Sequence, residues 1–489
     1  MNKLDRRTFL RNSLLASASI SLVPALGCRT TPSSVQSRVP GANGDIRFAV
    51  VGFKSRGEDH IEGLRKVKGT RLVALCDVDR EVLDKEVKKL REGGEQVDGY
   101  VDIRELVARR DIDVISIATP NHWHSLAAIW AIQAGKDVYV EKPVSHNVWE
   151  GRQLVKAARK YNRIVQAGTQ SRSSSGIREA IQWTRDGNMG KIIRARGLCY
   201  KRRASIGKVD GPQPVPSSIN YDLWCGPAPM GPLMRKRLHY DWHWVWPTGN
   251  GDLGNQGIHQ MDIARWVLGE EALSPKVISL GGRFGYVDDG TTPNTQIVFH
   301  DYPAAPLIFE VRGLPESSTN DKMDSYKGAS IGVVVDLEGG MMVIPDYNSA
   351  TFFDKQGKEV KKFSGSSSHY QNFIDAVRSR NSASLNGEVL QGHISSALCH
   401  TGNVSYLLGQ TGTPEEIRDS IKNNADLSEA FGRMEQHLAA NKVDLHKTPA
   451  RIGALLSMNP KSEEFIGNPQ ANKLLTREYR KPFVVPDRV

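Results

Sequence analysis

From residue 46 onward, apolar runs alternate with segments of helical spacing. Ile46-Arg47-Phe48-Ala49-Val50-Val51 is nearly continuous in apolar residues and opens directly into Gly52, as the first buried strand of a parallel sheet does. A helical stretch over 60–67 follows, and then a second strand over 71–76 that ends in Asp77. The run 113–118 ends in Thr119-Pro120-Asn121-His122-Trp123-His124, and 137–140 ends in Glu141-Lys142-Pro143. Strands alternating with helices at this spacing predict an α/β fold with a doubly wound parallel Rossmann sheet, whose ligands bind at the carboxyl edge of the strands. Both polar clusters fall at that edge.

After Gly168 the pattern changes. A helix over 177–185 and a strand beginning near Lys191-Ile192-Ile193 precede a Pro/Gly/Trp-rich segment, 211–251, and long irregular stretches of this kind usually carry function. Apolar alternation at 277–280, 295–299, 307–311, 331–335 and 341–344 predicts a mainly antiparallel sheet. Helices follow at His369 and His393, and 414–440 reads as one further helix. The organisation is therefore a Rossmann domain over 45–168, an α+β domain with an open, mainly antiparallel sheet over 169–410, and an extension over 411–489.

The N-terminus reads as an address. Asp5-Arg6-Arg7-Thr8-Phe9-Leu10 precedes a short apolar stretch, 14–26, too short to span a bilayer. Residues 1–27 are thus expected to be a twin-arginine export signal, with a periplasmic destination. Ala25-Leu26-Gly27-Cys28 resembles a lipobox, so acylation at Cys28 and simple cleavage both stay open; 28–44 is a flexible tether either way.

Composition narrows the function. The 489 residues are 39% hydrophobic and 24% charged, an ordinary globular balance. The net charge of +11 falls to about +8 without residues 1–27, and no dense Lys/Arg run appears, which argues against a nucleic-acid partner. Five scattered cysteines build neither a disulfide scaffold nor a CxxC site, and His239-x-x-x-His243 lacks a third ligand, so no metal is expected.

The turn Gly52-Phe53-Lys54-Ser55-Arg56-Gly57 stands where a glycine-rich loop seats a pyrophosphate on a helix N-terminus. Lys54 occupies the second glycine position, where its ammonium could meet phosphate instead. Asp77 is placed to accept the ribose hydroxyls and to repel a 2′-phosphate, which favours NAD over NADP, while Arg80 keeps NADP open. Gly52, Phe53, Lys54, Gly57, Asp77, Thr119, Pro120, Asn121, His124 and Glu141 are the expected cofactor-binding residues. Trp224, His239, Trp242 and His243 suit a carbohydrate site, because flat aromatic faces match the C–H faces of pyranose rings; packing of a long loop onto the core is the alternative.

The Val50-Val51-Gly52 turn, Asp77, Ala118-Thr119-Pro120-Asn121 and above all Glu141-Lys142-Pro143 resemble the glucose-fructose oxidoreductase/inositol dehydrogenase family (Gfo/Idh/MocA), over residues 45–410. The resemblance implies a catalytic group formed by Lys142 with a helical pair four residues apart. Here that pair is Asn255 and His259, where the family has Asp and His; Asn255 can orient but cannot act as a base. At helical spacing Asn255, His259 and Asp262 would share one face. The implied activity is hydride transfer between a secondary alcohol of a sugar or glycoside and a tightly held NAD, in a homo-oligomer. Two alternatives stay open: NAD-assisted glycoside cleavage by transient oxidation and elimination, and a non-catalytic sugar sensor.

Overall fold

The computed structural model describes residues 44–489; the expected export signal and Cys28 lie outside the described residues. Six strands, β1 (Ile46–Val51), β2 (Thr70–Cys76), β3 (Asp98–Tyr100), β4 (Val114–Ile117), β5 (Asp137–Val140) and β6 (Val165–Ala167), form an all-parallel sheet in the order β3-β2-β1-β4-β5-β6. β4 and β5 are wholly buried and β1 and β2 nearly so, because helices cover both faces of the sheet. Strand order reverses between β1 and β4, and this opens a crevice at their carboxyl ends.

The second sheet holds twelve strands. β7 (Ile192–Cys199), β8 (Lys276–Gly282), β9 (Thr295–His300), β10 (Leu307–Arg312), β11 (Ile331–Leu337), β12 (Gly340–Ile344), β13 (Ser349–Asp354) and β14 (Glu359–Ser364) are joined by the short β15 (Gln410–Gly412) and β16 (Ala450–Ile452), with β17 (Leu456–Asn459) on the edge of β8 and β18 (Glu464–Phe465) paired to β17. Every pairing is antiparallel except β7 with β10. The sheet therefore continues past residue 410 into the C-terminal extension.

That extension has two parts. The stretch 414–440 is not one helix but two, Pro414–Ile421 and Ala425–Ala440, because Asn424 caps the second by accepting a hydrogen bond from the Leu427 amide. Ile417, Leu427, Phe431, Met434 and Leu438 bury their side chains on Leu280, Ile297, Phe299 and Ile308, so the chain covers its own sheet over β8–β10. The last part is a strap. Glu463 pairs with Arg152 and His393, the Leu475 carbonyl accepts from the Trp149 amide, and Arg480 donates to the carbonyls of Asp222 and Gly226. Phe483, 1% exposed, packs edge-on against Trp123 with ring centres 5.5 Å apart.

Candidate functional site

A cleft of about 310 Å³ opens between the carboxyl edge of the parallel sheet and the 199–256 region of the second domain, within the size range of sites that bury small ligands. Its floor begins at the β1 turn. Gly52 has φ +71°, and a Cβ there would lie 2.9 Å from the Thr119 backbone; a Cβ on Gly57 would lie 2.1 Å from the Gly52 carbonyl oxygen. Only glycine lets the turn close this tightly against β4. Ser55, a non-glycine residue, also has φ +71°, a strained conformation just before the helix that follows the turn. Lys54 is exposed on the cleft lining and forms no ion pair among the described residues.

Asp77 stands at the end of β2, where the ribose acceptor is expected. Its carboxylate accepts from the amides of Phe53 at 3.3 Å and Asp79 at 3.0 Å. Burial raises its pKa against the pull of those two amides and of His239. At β4, Thr119, Pro120 and Asn121 line the cleft, and the buried Thr119 hydroxyl has no partner among the described residues. The close glycine turn, the carboxylate at β2 and this orphaned hydroxyl fit a dinucleotide laid across the switch point. His124 lines the same wall, yet both its ring nitrogens face carbonyl oxygens, of Pro143 at 2.6 Å and Thr119 at 2.7 Å. It therefore ties the β4 and β5 loops together rather than offering a free nitrogen to the cofactor, contrary to the sequence expectation.

Glu141 and Lys142 leave β5 side by side and do different work. Burial would raise the Glu141 pKa, but Arg56 at 2.9 Å, His60 at 3.1 Å and the neighbouring Lys142 hold it well below the carboxylate range. Gln170 also donates to it at 3.1 Å. Glu141 is thus a fixed anion anchoring the turn, with Oε1 accepting from Arg56, His60 and Gln170 and Oε2 from the Lys142 amide. Lys142 is half-buried in the cleft wall, and its ammonium donates to the Asn255 backbone carbonyl at 3.0 Å. Burial lowers its pKa, Glu141 opposes this, and Arg56, Lys201 and Arg203 lower it further.

The helical constellation differs from its expected form. The helix divides into Gly251–Asn255 and Gly257–Leu268, and the His259 amide bonds the Gln256 carbonyl three residues back. Asn255 meets Lys142 through its backbone carbonyl, and among the described residues its side chain forms no hydrogen bond with His259. His259 is buried outside the cleft lining, beside the Tyr347 ring at 5.1 Å, and burial together with the nearby Lys142 charge brings its pKa to about 3. Asp262 is consumed by a bidentate pair with Arg172 and by the Ser395 hydroxyl.

The aromatic segment forms the opposite wall, and its faces are largely in use. Trp224 stacks on Tyr221 with Arg235 over its ring, and Trp242 stacks on His243 at 3.6 Å. These two indoles are cleft lining rather than free platforms for a sugar, a correction that follows from their packing. His239 binds Asp79 at 2.8 Å, which puts it beside Asp77 at the adenosine end, not at a sugar subsite. His243 donates through Nδ1 to the Tyr240 carbonyl, which leaves Nε2 as an acceptor, and burial holds its pKa near 3. Among the described residues no three His, Cys, Asp or Glu side chains gather as metal ligands.

Lys201, Arg203, Tyr240 and Gln256 also line the cleft and were not among the expected site residues. The one sequence signal for them is the run Lys201-Arg202-Arg203 just past the end of β7. Arg203 forms a bidentate pair with Asp252 at 2.7 Å and donates to the Tyr240 hydroxyl; Lys201 donates to the Gln256 side-chain oxygen at 3.0 Å.

Comparison with known families decides the lineage. Residues 46–169 match the oxidoreductase family's NAD-binding Rossmann fold, and residues 190–426 match its C-terminal alpha/beta domain. The chain belongs to the Gfo/Idh/MocA oxidoreductase family. Its first domain is accordingly an NAD-binding domain, which agrees with the glycine turn and Asp77. Among curated relatives of this family member, the glycosyl hydrolase family 109 protein 2 of Shewanella sp. (strain ANA-3) is 31% identical over 171 residues, 32% of this chain and 38% of the relative. Thus the chain matches well under half the length of that relative. Among solved structures, an oxidoreductase domain protein from Kribbella flavida is 18% identical with a TM-score of 0.55, over 74% of this chain and 96% of that one. The WlbA dehydrogenase from Bordetella pertussis, solved with NADH and UDP-GlcNAcA, is 17% identical with a TM-score of 0.52, over 72% of this chain and 94% of that one. At these identities the solved structures establish the fold.

Proposed function

We propose that this Gfo/Idh/MocA member is an NAD-dependent oxidoreductase acting on a secondary alcohol of a sugar or glycoside. The observation that carries the reading is Lys142: a half-buried amine at the carboxyl end of β5, in the dinucleotide cleft, whose only hydrogen-bond partner among the described residues is a backbone carbonyl. In its neutral form, one N–H stays on the Asn255 carbonyl and the lone pair is left for a substrate hydroxyl, so Lys142 takes the hydroxyl proton. Bound nicotinamide supplies the hydride acceptor. His243 Nε2 offers a hydrogen-bond acceptor on the facing wall. His259 acts from behind the lining, as a neutral neighbour of Lys142.

The family 109 relative supports a second reading, in which oxidation would be transient: it would acidify the neighbouring C–H, that proton and the aglycone would leave together, water would add across the resulting double bond, and the hydride would return to the carbonyl carbon. Product analysis separates the two. Incubation of the purified protein with a panel of glycosides should yield a keto sugar, or reduced nicotinamide, under the first reading. Released aglycone with no net change in cofactor redox state replaces it with the second, and neither product from any sugar would sink both. Export through the N-terminal twin-arginine segment belongs to this proposal and is tested below.

A further inference from the structure

The end of the cleft around Lys142 carries two ammonium groups that no carboxylate touches among the described residues. Lys142 and Lys201 both line it, and neither forms an ion pair among the described residues. Each ammonium has one neutral oxygen partner, and these come from consecutive residues: the Asn255 carbonyl for Lys142 and the Gln256 side chain for Lys201. The Gln256 oxygen is held in place because its amide nitrogen donates to the Tyr347 hydroxyl at 2.6 Å. The nearby carboxylates are already committed. Glu141 is taken by Arg56, His60 and Gln170, and Asp252 by the bidentate Arg203. Asp77 and His239 stand at the adenosine end.

Withdrawing an ammonium from water without a counter-charge is costly, and two adjacent ones repel each other. Burial lowers the pKa of Lys201, Arg203 adds to the effect, and Asp252, itself paired with Arg203, opposes it. Lys142 can answer by giving up its proton, which its proposed role requires. Lys201, further from the β5 turn and fixed by Gln256, is left as the positive group facing the substrate.

We infer that the substrate is a sugar acid whose carboxylate is received by Lys201. This rests on the oxidoreductase reading and names the substrate class of the same site. A single negative charge fits better than a phosphate dianion, because a dianion in the same cavity would stabilise the Lys142 ammonium and remove the base. Arg203, whose charge is neutralised by the bidentate Asp252 and whose third nitrogen holds Tyr240, shapes the wall and leaves Lys201 as the uncompensated cation.

The test is calorimetric binding to the purified holoenzyme of three matched pairs of methyl glycosides: glucose with glucuronate, galactose with galacturonate, mannose with mannuronate. Reduction of the bound cofactor is followed in the same samples. In at least one pair the acid should bind about 10- to 100-fold more tightly than the neutral sugar, the range of a charge-assisted hydrogen bond. Lys201→Met should remove most of that preference, and Lys201→Arg should keep part of it. Equal binding of acid and neutral sugar in every pair overturns the inference, with no dependence on whether either variant folds. A preference that survives in folded Lys201→Met overturns it too. A neutral sugar that reduces the cofactor as well as its acid does removes the anion site and leaves the oxidoreductase reading. A preferred acid that binds without any redox change supports the anion site and counts against that reading.

Discussion

Lys142 is where the environment of one side chain decides the chemistry. Its replacement by alanine removes the group that exchanges the hydroxyl proton and leaves the glycine turn and Asp77 untouched. Turnover should fall by about 10²- to 10⁴-fold, with nucleotide content unchanged; wild-type turnover in that variant would remove Lys142 from the mechanism. The pH dependence follows from the same group. Oxidation needs the neutral amine, so activity should rise with pH along a limb set by Lys142, placed below the ordinary lysine value of 10.5 by burial and by Lys201 and Arg203. His243 and His259, both near 3, stay neutral over that range and add no limb near 6.5. Lys201→Met takes away a positive neighbour, raises the Lys142 pKa and should move the limb to higher pH. A limb that stays in place, measured as kcat/KM against pH, would show that another group titrates.

At the scale of elements, the strap is the part whose stability can be tested most directly. Phe483 fills a site between Trp123 and Trp130 under Arg104 and Arg480. Its truncation to alanine should cost about 3–5 kcal/mol, read as a lowered unfolding midpoint. Because Trp123 and Leu223 line the cleft, the dissociation rate of bound nucleotide should rise as well, and a destabilised variant with unchanged nucleotide release would separate strap from cleft. At its other end, burial would raise the pKa of Glu463, but His393 and Arg152 bring it from 4.5 down to about 2. A carboxylate depressed in the folded state contributes its stability above the unfolded value, and that contribution is lost as pH falls from about 5 toward 2.

Much of this element scale was legible in the sequence. β1, β2, β4 and β5 and the residues at their ends are local apolar runs with local terminators, so pattern alone places Asp77, Thr119 and Lys142. What was not legible depends on distant chain. Lys201 enters the cleft because β7 pairs with β10 and β11, more than a hundred residues away in sequence. The division of the helix at Gln256, the covering of Trp224 and Trp242, and the strap come from tertiary packing that no window of sequence contains.

On the whole-molecule scale, the two domains enclose a site that suits a resident cofactor, and the strap packs behind its Trp123 wall. The twin-arginine reading and this enclosure together predict that purified protein carries near-stoichiometric nicotinamide after extensive dialysis and turns over without added NAD. An empty protein that depends on added NAD would refute residence and leave the oxidoreductase reading standing. Replacing Arg6 and Arg7 by lysine should keep the folded protein in the cytoplasm, and normal export of that variant would refute the address. The pairing of β15 and β16 with the sheet and the helices over β8–β10 make the extension part of the same body, and no helix among the described residues is long and apolar enough to cross a membrane.

The strap also sets an order of events. Residues that meet Phe483 and Arg480, among them Arg104, Trp123 and Asp222, leave the ribosome more than 250 residues before their partners do. Contacts of such long range form late. The crevice at β1 and β4 can take shape while the packing behind its Trp123 wall is still unfastened, and Phe483 and Arg480 then fasten it. The strap thus works as a latch on the cleft from behind: it lines no part of the crevice itself, yet it holds in place the Trp123 and Leu223 segments that do.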